Sequence, residues 1–199
     1  MDHIPRIRAH FADSAQLKLD AVEGLAPQLA RAADLLATCL LSDGKILACG
    51  NGGSAADAQH FAAEMIGRFE RERPELPAIS LVTDTSILSA VANDYSFEQV
   101  FAKQVRGLGA KGDALIALST SGNSGNVVAA IAAAHEREMN VVAFTGKGGG
   151  RIGGMLLPGD VHLCVPHERT ARIQEIHLLV LHCLCDAVDL QLLGEEEDT

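Results

Sequence analysis

The sequence of 199 residues lacks long apolar runs, has few basic residues and shows no pattern of paired cysteines. No segment approaches the roughly 20 uninterrupted apolar residues that a membrane span needs, and the N-terminal stretch has no apolar signal core. We therefore predict a chain that neither spans a membrane nor is exported. Its five cysteines are an odd number in apolar surroundings, which favours reduced core thiols of a cytoplasmic protein over a disulfide framework.

Basic residues are outnumbered, since 16 lysines and arginines accompany 26 aspartates and glutamates, for a formal net charge of −10. A general nucleic-acid-binding protein needs a basic face, so we expect no direct nucleic-acid partner. Small anionic ligands remain compatible with this charge, because local dipoles and a few basic side chains can hold them. The length fits one domain with a sizeable core.

Strand and helix patterns alternate along most of the chain. Five short buried runs predict strands, at 45–50, 78–82, 114–119, 141–145 and 161–166. Helical periodicity predicts two helices before residue 41 and further helices at 54–69, 86–92, 97–107, 124–139 and 170–193. This alternation predicts a three-layer α/β fold, whose five-stranded parallel sheet has flavodoxin-like order and helices on both faces.

The whole chain, 1–199, is predicted to be one domain with a sheet unit at about 45–193. The N-terminal helices precede this unit, so a subunit interface is a natural place for them. The acidic tail "GEEEDT" is predicted to be disordered.

Two polar loops follow the first and third predicted strands, and each leads into a helix. Their residues are Asn51, Gly52 and Gly53 in the first loop and Ser119, Thr120, Ser121 and Ser124 in the second. Ligands of parallel sheets bind at the carboxyl ends of the strands, where helix N-termini offer unpaired amides and a partial positive charge. With hydroxyl groups added, this arrangement predicts a site for a phosphate monoester. Turn and cap formation, with Ser54 as the N-cap of its helix, is the competing explanation.

Two helices carry side chains suited to proton transfer or metal binding. His60 and Glu64 are four residues apart and therefore share one helix face. On the long closing helix, Gln174 can share a broad face with either His177 or His182, but hardly with both. A carboxylate, an imidazole and an amide could act as acid and base or hold a divalent metal such as zinc. Buried core histidines and an ordinary intrahelical pair are the alternatives.

Four segments together resemble one protein family: "GNGGSAADAQHFAAE", "ANDYSFEQVF", "STSGNS" and "RIQEIHLLVLHCLCD". They resemble the SIS (sugar isomerase) domain family and, within it, the phosphoheptose isomerases, over nearly the whole chain. The loops are common to many sugar-phosphate proteins, whereas the His-x-x-x-Glu helix combined with Arg-Ile-Gln-Glu and a later histidine is more specific. The resemblance implies an aldose–ketose isomerase that converts sedoheptulose 7-phosphate to D-glycero-D-manno-heptose 7-phosphate for the lipopolysaccharide core.

The resemblance also implies roles for individual residues. Glu64 would be the general base and His182 its acid/base partner. Zinc, one ion per subunit, would be held by His60, Glu64, Gln174 and His182. The substrate would be contacted by Asn51, Gly52, Gly53, Glu64, Asn93, Asp94, Ser119, Thr120, Ser121, Ser124 and Gln174, although Asn93 and Asp94 taken alone could simply cap the next helix. Family members are homotetramers with active sites at subunit contacts.

A relative with a different function supplies an alternative. The initiator-associating protein DiaA, which binds the replication initiator DnaA, is similar throughout, including "RFERE" and "CLCD". DiaA lacks the carboxylate at the position of Glu64 and the histidine at the position of His182, and both are present here. We therefore predict the isomerase, with a DnaA-binding adaptor or a non-catalytic sugar-phosphate sensor as the alternatives.

Overall fold

The structure is a computed structural model that describes residues 2–195, so the last four residues of the predicted disordered tail lie outside the described part. One sheet contains five parallel strands: β1 (Ile46–Cys49), β2 (Ala78–Ser80), β3 (Ala114–Ser119), β4 (Asn140–Thr145) and β5 (Val161–Cys164). The strand order is β2-β1-β3-β4-β5, which confirms the predicted flavodoxin-like order. Every residue of β1 and β3 is buried, as in sheets covered on both faces.

Helices cover both faces of the sheet. They are α1 (Ile4–Leu41), α2 (Gly53–Ile66), α3 (Thr85–Asp94), α4 (Val100–Leu108), α5 (Gly125–Glu136), α6 (Gly150–Gly153) and α7 (Thr170–Leu193), with short 3-10 turns at Phe97–Gln99 and Lys147–Gly149. Neighbouring residues of a strand point to opposite faces and so join different cores. On β3, Ile116 packs with α1, α2 and α7, whereas Leu115 packs with α4 and α5.

The N-terminal region contains one helix where the sequence predicts two. Pro27 lies inside α1, and proline in a helix removes one backbone hydrogen bond and favours a kink or an end. The same buried stripe continues on both sides of it, with Leu17 and Leu25 before the proline and Ala32 and Leu36 after it, all in one core cluster. Packing along this stripe therefore outweighs the local preference of the proline.

Helix α7 has the length and apolar composition of a membrane span, with a mean hydropathy of 1.6 over its most apolar window. It also carries the buried polar residues Arg172, His177 and Asp189, and its apolar face packs into the core with α1, α2 and the sheet. A central helix of a soluble α/β domain has the same features, so we interpret α7 as a core helix.

Candidate active site

The two polar loops lie at the carboxyl ends of the adjacent strands β1 and β3, which pair directly. The Asn51 and Asn126 side chains exchange two amide hydrogen bonds of 2.8 Å, which tie the first loop to the first turn of α5. Gly52 is the N-cap of α2 at a φ of 58°, and Ser54, predicted as the cap, is instead buried in the first turn. Glycine adopts this left-handed φ without a Cβ clash, so the cap falls on it.

Hydroxyl groups line the second loop in front of α5. Ser119 Oγ lies 2.9 Å from Ser124 Oγ, and it accepts a longer bond of 3.4 Å from the Ser124 N–H. Ser124 is the N-cap of α5, but its side chain caps no helix N–H group. The first-turn N–H groups of α5, which have no acceptor within a helix, therefore face the loop. Ser121 Oγ accepts from the Asn123 N–H at 3.1 Å, and half-buried Thr120 completes the loop.

A glycine-rich segment after β4 packs onto this second loop. The Ile152 N–H donates to the Gly122 carbonyl at 3.0 Å, and the Arg151 N–H donates to Asn123 Oδ1 at 3.0 Å. A Cβ on Gly122 would lie only 2.0 Å from the Gly149 carbonyl oxygen, so the two backbones are in direct contact. The loop that follows β3 is therefore held in shape by the loop that follows β4.

Helices α2 and α7 run side by side in the same direction, and their facing residues match in order. At the first level, a Cβ on Gly53 would lie 2.5 Å from Gln174 Nε2. About two turns further on, His60 Nε2 lies 3.0 Å from His182 Nε2 and 3.2 Å from the Glu64 carboxylate. The side chains of His60 and Glu64 are 42% and 23% exposed, so this cluster is open to a ligand.

His177 and His182 were equivalent by spacing, and the structure separates them. The His177 ring is fully buried, with Nε2 3.0 Å from the Thr145 carbonyl oxygen, and burial lowers its pKa to about 4. His182 faces the opposite way, toward His60 and the ring of Phe69. Of these two histidines, only His182 can act with Glu64.

Asn93 and Asp94 are the last two residues of α3, and both are exposed. Asn93 Nδ2 donates to Asp94 Oδ1 at 2.8 Å, which joins the two side chains. Neither is the N-cap of the following 3-10 turn, because Ser96 occupies that position. Helix capping therefore does not account for this pair.

Comparison with known proteins gives one answer. The family model for the SIS domain matches residues 10–146. The phosphoheptose isomerase of Azoarcus sp. (strain BH72) is 68% identical over 197 residues, which cover 99% of this chain and 100% of the relative. The solved phosphoheptose isomerase of Neisseria gonorrhoeae has a TM-score of 0.90 at 56% identity, covering 94% of this chain and 99% of that one. The Francisella tularensis structure has a TM-score of 0.92 at 44% identity, covering 95% and 99%.

The chain belongs to the phosphoheptose isomerase family. It is thus an enzyme with a SIS-domain fold, as the resemblance of its motifs implied. The similarity spans nearly the whole chain, including the helices α2 and α7 that carry Glu64 and His182.

The zinc ligands predicted from the sequence can be compared with this geometry. Within residues 2–195, no group of three or more histidine, cysteine or carboxylate side chains is arranged so that it could hold a metal ion. Two imidazole nitrogens on a tetrahedral zinc stand roughly 3.3 Å apart, and the His60 and His182 Nε2 atoms are 3.0 Å apart. The spacing of these two nitrogens is close to that of zinc ligands, and the Glu64 carboxylate lies beside His60. Gln174 instead contacts Gly53, about two helical turns from His182.

The sequence prediction missed two residues that belong to the site. Asn126 holds the first loop, and its signal was the polar side chain in the first turn of an otherwise apolar helix. Asp57 lies one turn before His60. The residue is half-buried, but its Oδ2 atom is fully buried and has no hydrogen-bond partner among the described residues. Burial raises the pKa of Asp57, and the nearby His60 opposes that rise. The available sequence signal was the spacing of Asp57 three residues before His60, which places both on one helix face.

Proposed function

We propose that the protein interconverts sedoheptulose 7-phosphate and D-glycero-D-manno-heptose 7-phosphate by moving a proton between C1 and C2. The main supporting observation is the cluster of His60, Glu64 and His182. It lies on helices that start at the sheet edge where the hydroxyl-rich loop is found. Relatives that are 58–68% identical over most of the chain are phosphoheptose isomerases. The DnaA-binding alternative gains no support from these relatives.

The loops would bind and orient the substrate. The phosphate would accept hydrogen bonds from Ser119, Thr120, Ser121 and Ser124 and from the first-turn N–H groups of α5, with Asn51, Gly52 and Gly53 along the sugar. Asn93 and Asp94 would contact sugar hydroxyl groups. Anchoring the phosphate away from the reacting carbons supplies orientation, so its binding energy lowers the barrier of the chemical step.

The reaction needs a base beside a carbonyl and a group that stabilises the oxygen of the enediolate. Glu64 would remove a proton from C1 while His182 donates one to the carbonyl oxygen on C2, which gives the enediol. Glu64 would then return its proton to C2 while His182 takes the proton from the C1 hydroxyl group, which becomes the aldehyde. Of the two α7 histidines considered for this role, His177 is buried in the core, which supports His182.

Zinc is the metal that this donor set would hold, with His60, Glu64 and His182 as ligands and Gln174 as a fourth after rotation of its side chain. A bound zinc would polarise the carbonyl oxygen as a Lewis acid. The spacing of the two imidazole nitrogens, close to that on tetrahedral zinc, supports the proposal.

Glu64→Gln and His182→Asn test the two roles. We expect each variant to lose about 10²- to 10⁴-fold in kcat, because each removes one proton-transfer group. The KM for sedoheptulose 7-phosphate should change little, since the phosphate loop is untouched. The assay follows the conversion of sedoheptulose 7-phosphate to the aldose by each purified protein. The zinc content is measured on both variants.

Glu138→Gln is the matched control, because this exposed carboxylate pairs only with the exposed Lys111 among the contacts described. Full turnover in Glu64→Gln would reject the base assignment. If His182→Asn loses turnover but keeps its zinc content, His182 transfers protons but is not a zinc ligand.

A homotetramer in the cytoplasm is the state we propose for the enzyme. Large apolar side chains are exposed along α1 and α7: Ile4, Ile7, Phe11, Leu19, Val22, Leu178 and Leu179. Val22 and Leu179 line one groove between the two helices, and exposed apolar side chains grouped in this way are typical of a subunit interface. Free cysteines and a sugar-phosphate substrate fit a reducing, cytoplasmic environment.

A further inference from the structure

Arg73, in the segment between α2 and β2, forms a buried ion pair with Asp189 of α7. Arg73 Nε donates to Asp189 Oδ1 at 2.6 Å, and the two side chains are only 1% and 3% exposed. Charged side chains are rarely this buried unless they are paired. The pair lies outside the substrate loops and contains no group that the proposed mechanism uses.

The same guanidinium group closes the C-terminal end of α2. Arg73 Nη2 donates to the Glu64 carbonyl oxygen at 2.8 Å, and Nη1 donates to the Met65 carbonyl oxygen at 2.8 Å. These belong to the last-turn carbonyls that lack N–H donors within a helix. The last turn of α2 has no basic residue of its own, so Arg73 supplies the cation that this end of the helix dipole favours.

Asp189 lies on the same face of α7 as His182. Seven residues separate them, which is close to two full turns. Cys185, between them on α7, is buried near both helices: burial raises the pKa of its thiol to about 12, and the charges of Glu64 and Asp189 add to the effect. The backbone of Glu64 and the helix of His182 are thus joined through one guanidinium group.

We propose that Arg73 and Asp189 are positioning residues, which fix the backbone of Glu64 relative to His182. This inference rests on the proposed roles of Glu64 and His182. Neither residue of the pair touches the substrate. They set the distance across which the carboxylate and the imidazole act on the two carbons, and a displacement of about 1 Å at such a site can lower the rate roughly 100-fold.

The test compares Arg73→Met with the double variant Arg73→Met/Asp189→Leu. The single variant leaves a buried, unpaired carboxylate, so we expect a lower melting temperature and a lower kcat. The double variant removes both charges, and an apolar replacement of a buried pair commonly restores stability. It still lacks the bonds to the Glu64 and Met65 carbonyls, so kcat should stay about 10- to 100-fold below wild type at unchanged KM.

Arg106→Met is the matched control, because Arg106 pairs with Glu136 on the opposite side of the sheet and both side chains are about half exposed. It should leave kcat and KM at wild-type values. A double variant that melts like the wild type and turns over within twofold of it would overturn the positioning role. A wild-type protein with no isomerase activity would instead overturn the proposed function, so the two failures are distinguishable.

Discussion

His177 and His182 lie five residues apart on α7 and have opposite environments. The first is a core residue whose ring packs edge-on against Phe144 with centroids 5.5 Å apart. Its Nε2 must carry the proton, because the Thr145 carbonyl can only accept. Its Nδ1 is then a buried acceptor, and it has no hydrogen-bond partner among the described residues. The direction of the side chain thus gives His177 a structural role and leaves His182 partly exposed for the catalytic role that we propose.

The buried His177 should make stability depend on pH. Its pKa is lowered to about 4 in the folded protein, from 6.5 as the ordinary value. Above pH 6.5 His177 is neutral in both the folded and the unfolded protein, so it does not reduce the free energy of unfolding. As the pH falls from 6.5 toward 4, the unfolded chain binds a proton that the folded one does not. The free energy of unfolding should therefore fall by about 3 kcal/mol from this group.

Urea unfolding of the wild type and His177→Gln at pH 7.0 and 4.5 checks this effect. The variant should be less stable at pH 7.0, because it disturbs the core, and should lose less stability on acidification. An equal loss in both proteins would show that other groups account for the pH dependence.

At the scale of elements, the loops after β3 and β4 behave as one unit, because their glycines allow backbone contact. Gly122 has a φ of 64°, and a Cβ there would overlap the Gly149 carbonyl. We expect Gly122→Ala to destabilise the protein by about 2–4 kcal/mol and to raise the KM for the phosphorylated substrate.

Gly112→Ala is the control for that substitution. Gly112 also has a left-handed φ, of 87°, but a Cβ there would meet nothing within 4 Å. It should cost only the conformational strain, about 1–2 kcal/mol, and leave KM unchanged. Equal effects of the two substitutions in urea unfolding and in KM would show that the contact between the loops is unimportant.

The elements differ in how far the sequence predicts them. Buried strands and their connecting helices follow from local patterns, so the sheet order and both loops were predictable. The continuity of α1 through Pro27 was not, because it depends on a core formed by distant segments. The same holds for the contact of Arg73 with Asp189, residues 116 positions apart, whose pairing no periodicity indicates. The hydrogen-bonded pairing of Asn51 with Asn126 was equally unpredictable.

The candidate site was predicted by resemblance more than by pattern. Helix spacing placed His60 beside Glu64, which the structure shows at 3.2 Å. Helix spacing could not choose between His177 and His182. The angle between two side chains around a helix axis does not show which face of the helix a neighbouring element covers. The side-by-side course of α2 and α7, which brings His60 to His182, is a tertiary property.

For the whole molecule, the exposed apolar face on α1 and α7 decides the predicted assembly. Leu179 is 41% exposed and borders the groove between the two helices. Leu179→Asp would place a charge in the subunit contact and weaken each contact by about 2 kcal/mol or more, roughly 30-fold in dissociation constant. Light scattering after size-exclusion chromatography should show a shift from four chains toward smaller species.

Leu157→Asp serves as its control, since Leu157 is 53% exposed in the segment before β5, away from that face. It should leave the mass unchanged. A wild-type protein that elutes as a single chain, or a Leu179→Asp variant that keeps the full mass, would contradict the proposed interface.

Helices α2, α5 and α7 all begin just after the carboxyl ends of parallel strands, so their N-termini meet at one edge of an acidic protein. At the phosphate site that we propose there, much of the attraction for a dianion would come from peptide dipoles, which have no protonation equilibrium. Such a binding site keeps its charge at any pH at which the protein is folded. Substitution of surface side chains leaves it intact, so the surface can become more acidic without the loss of an anionic substrate.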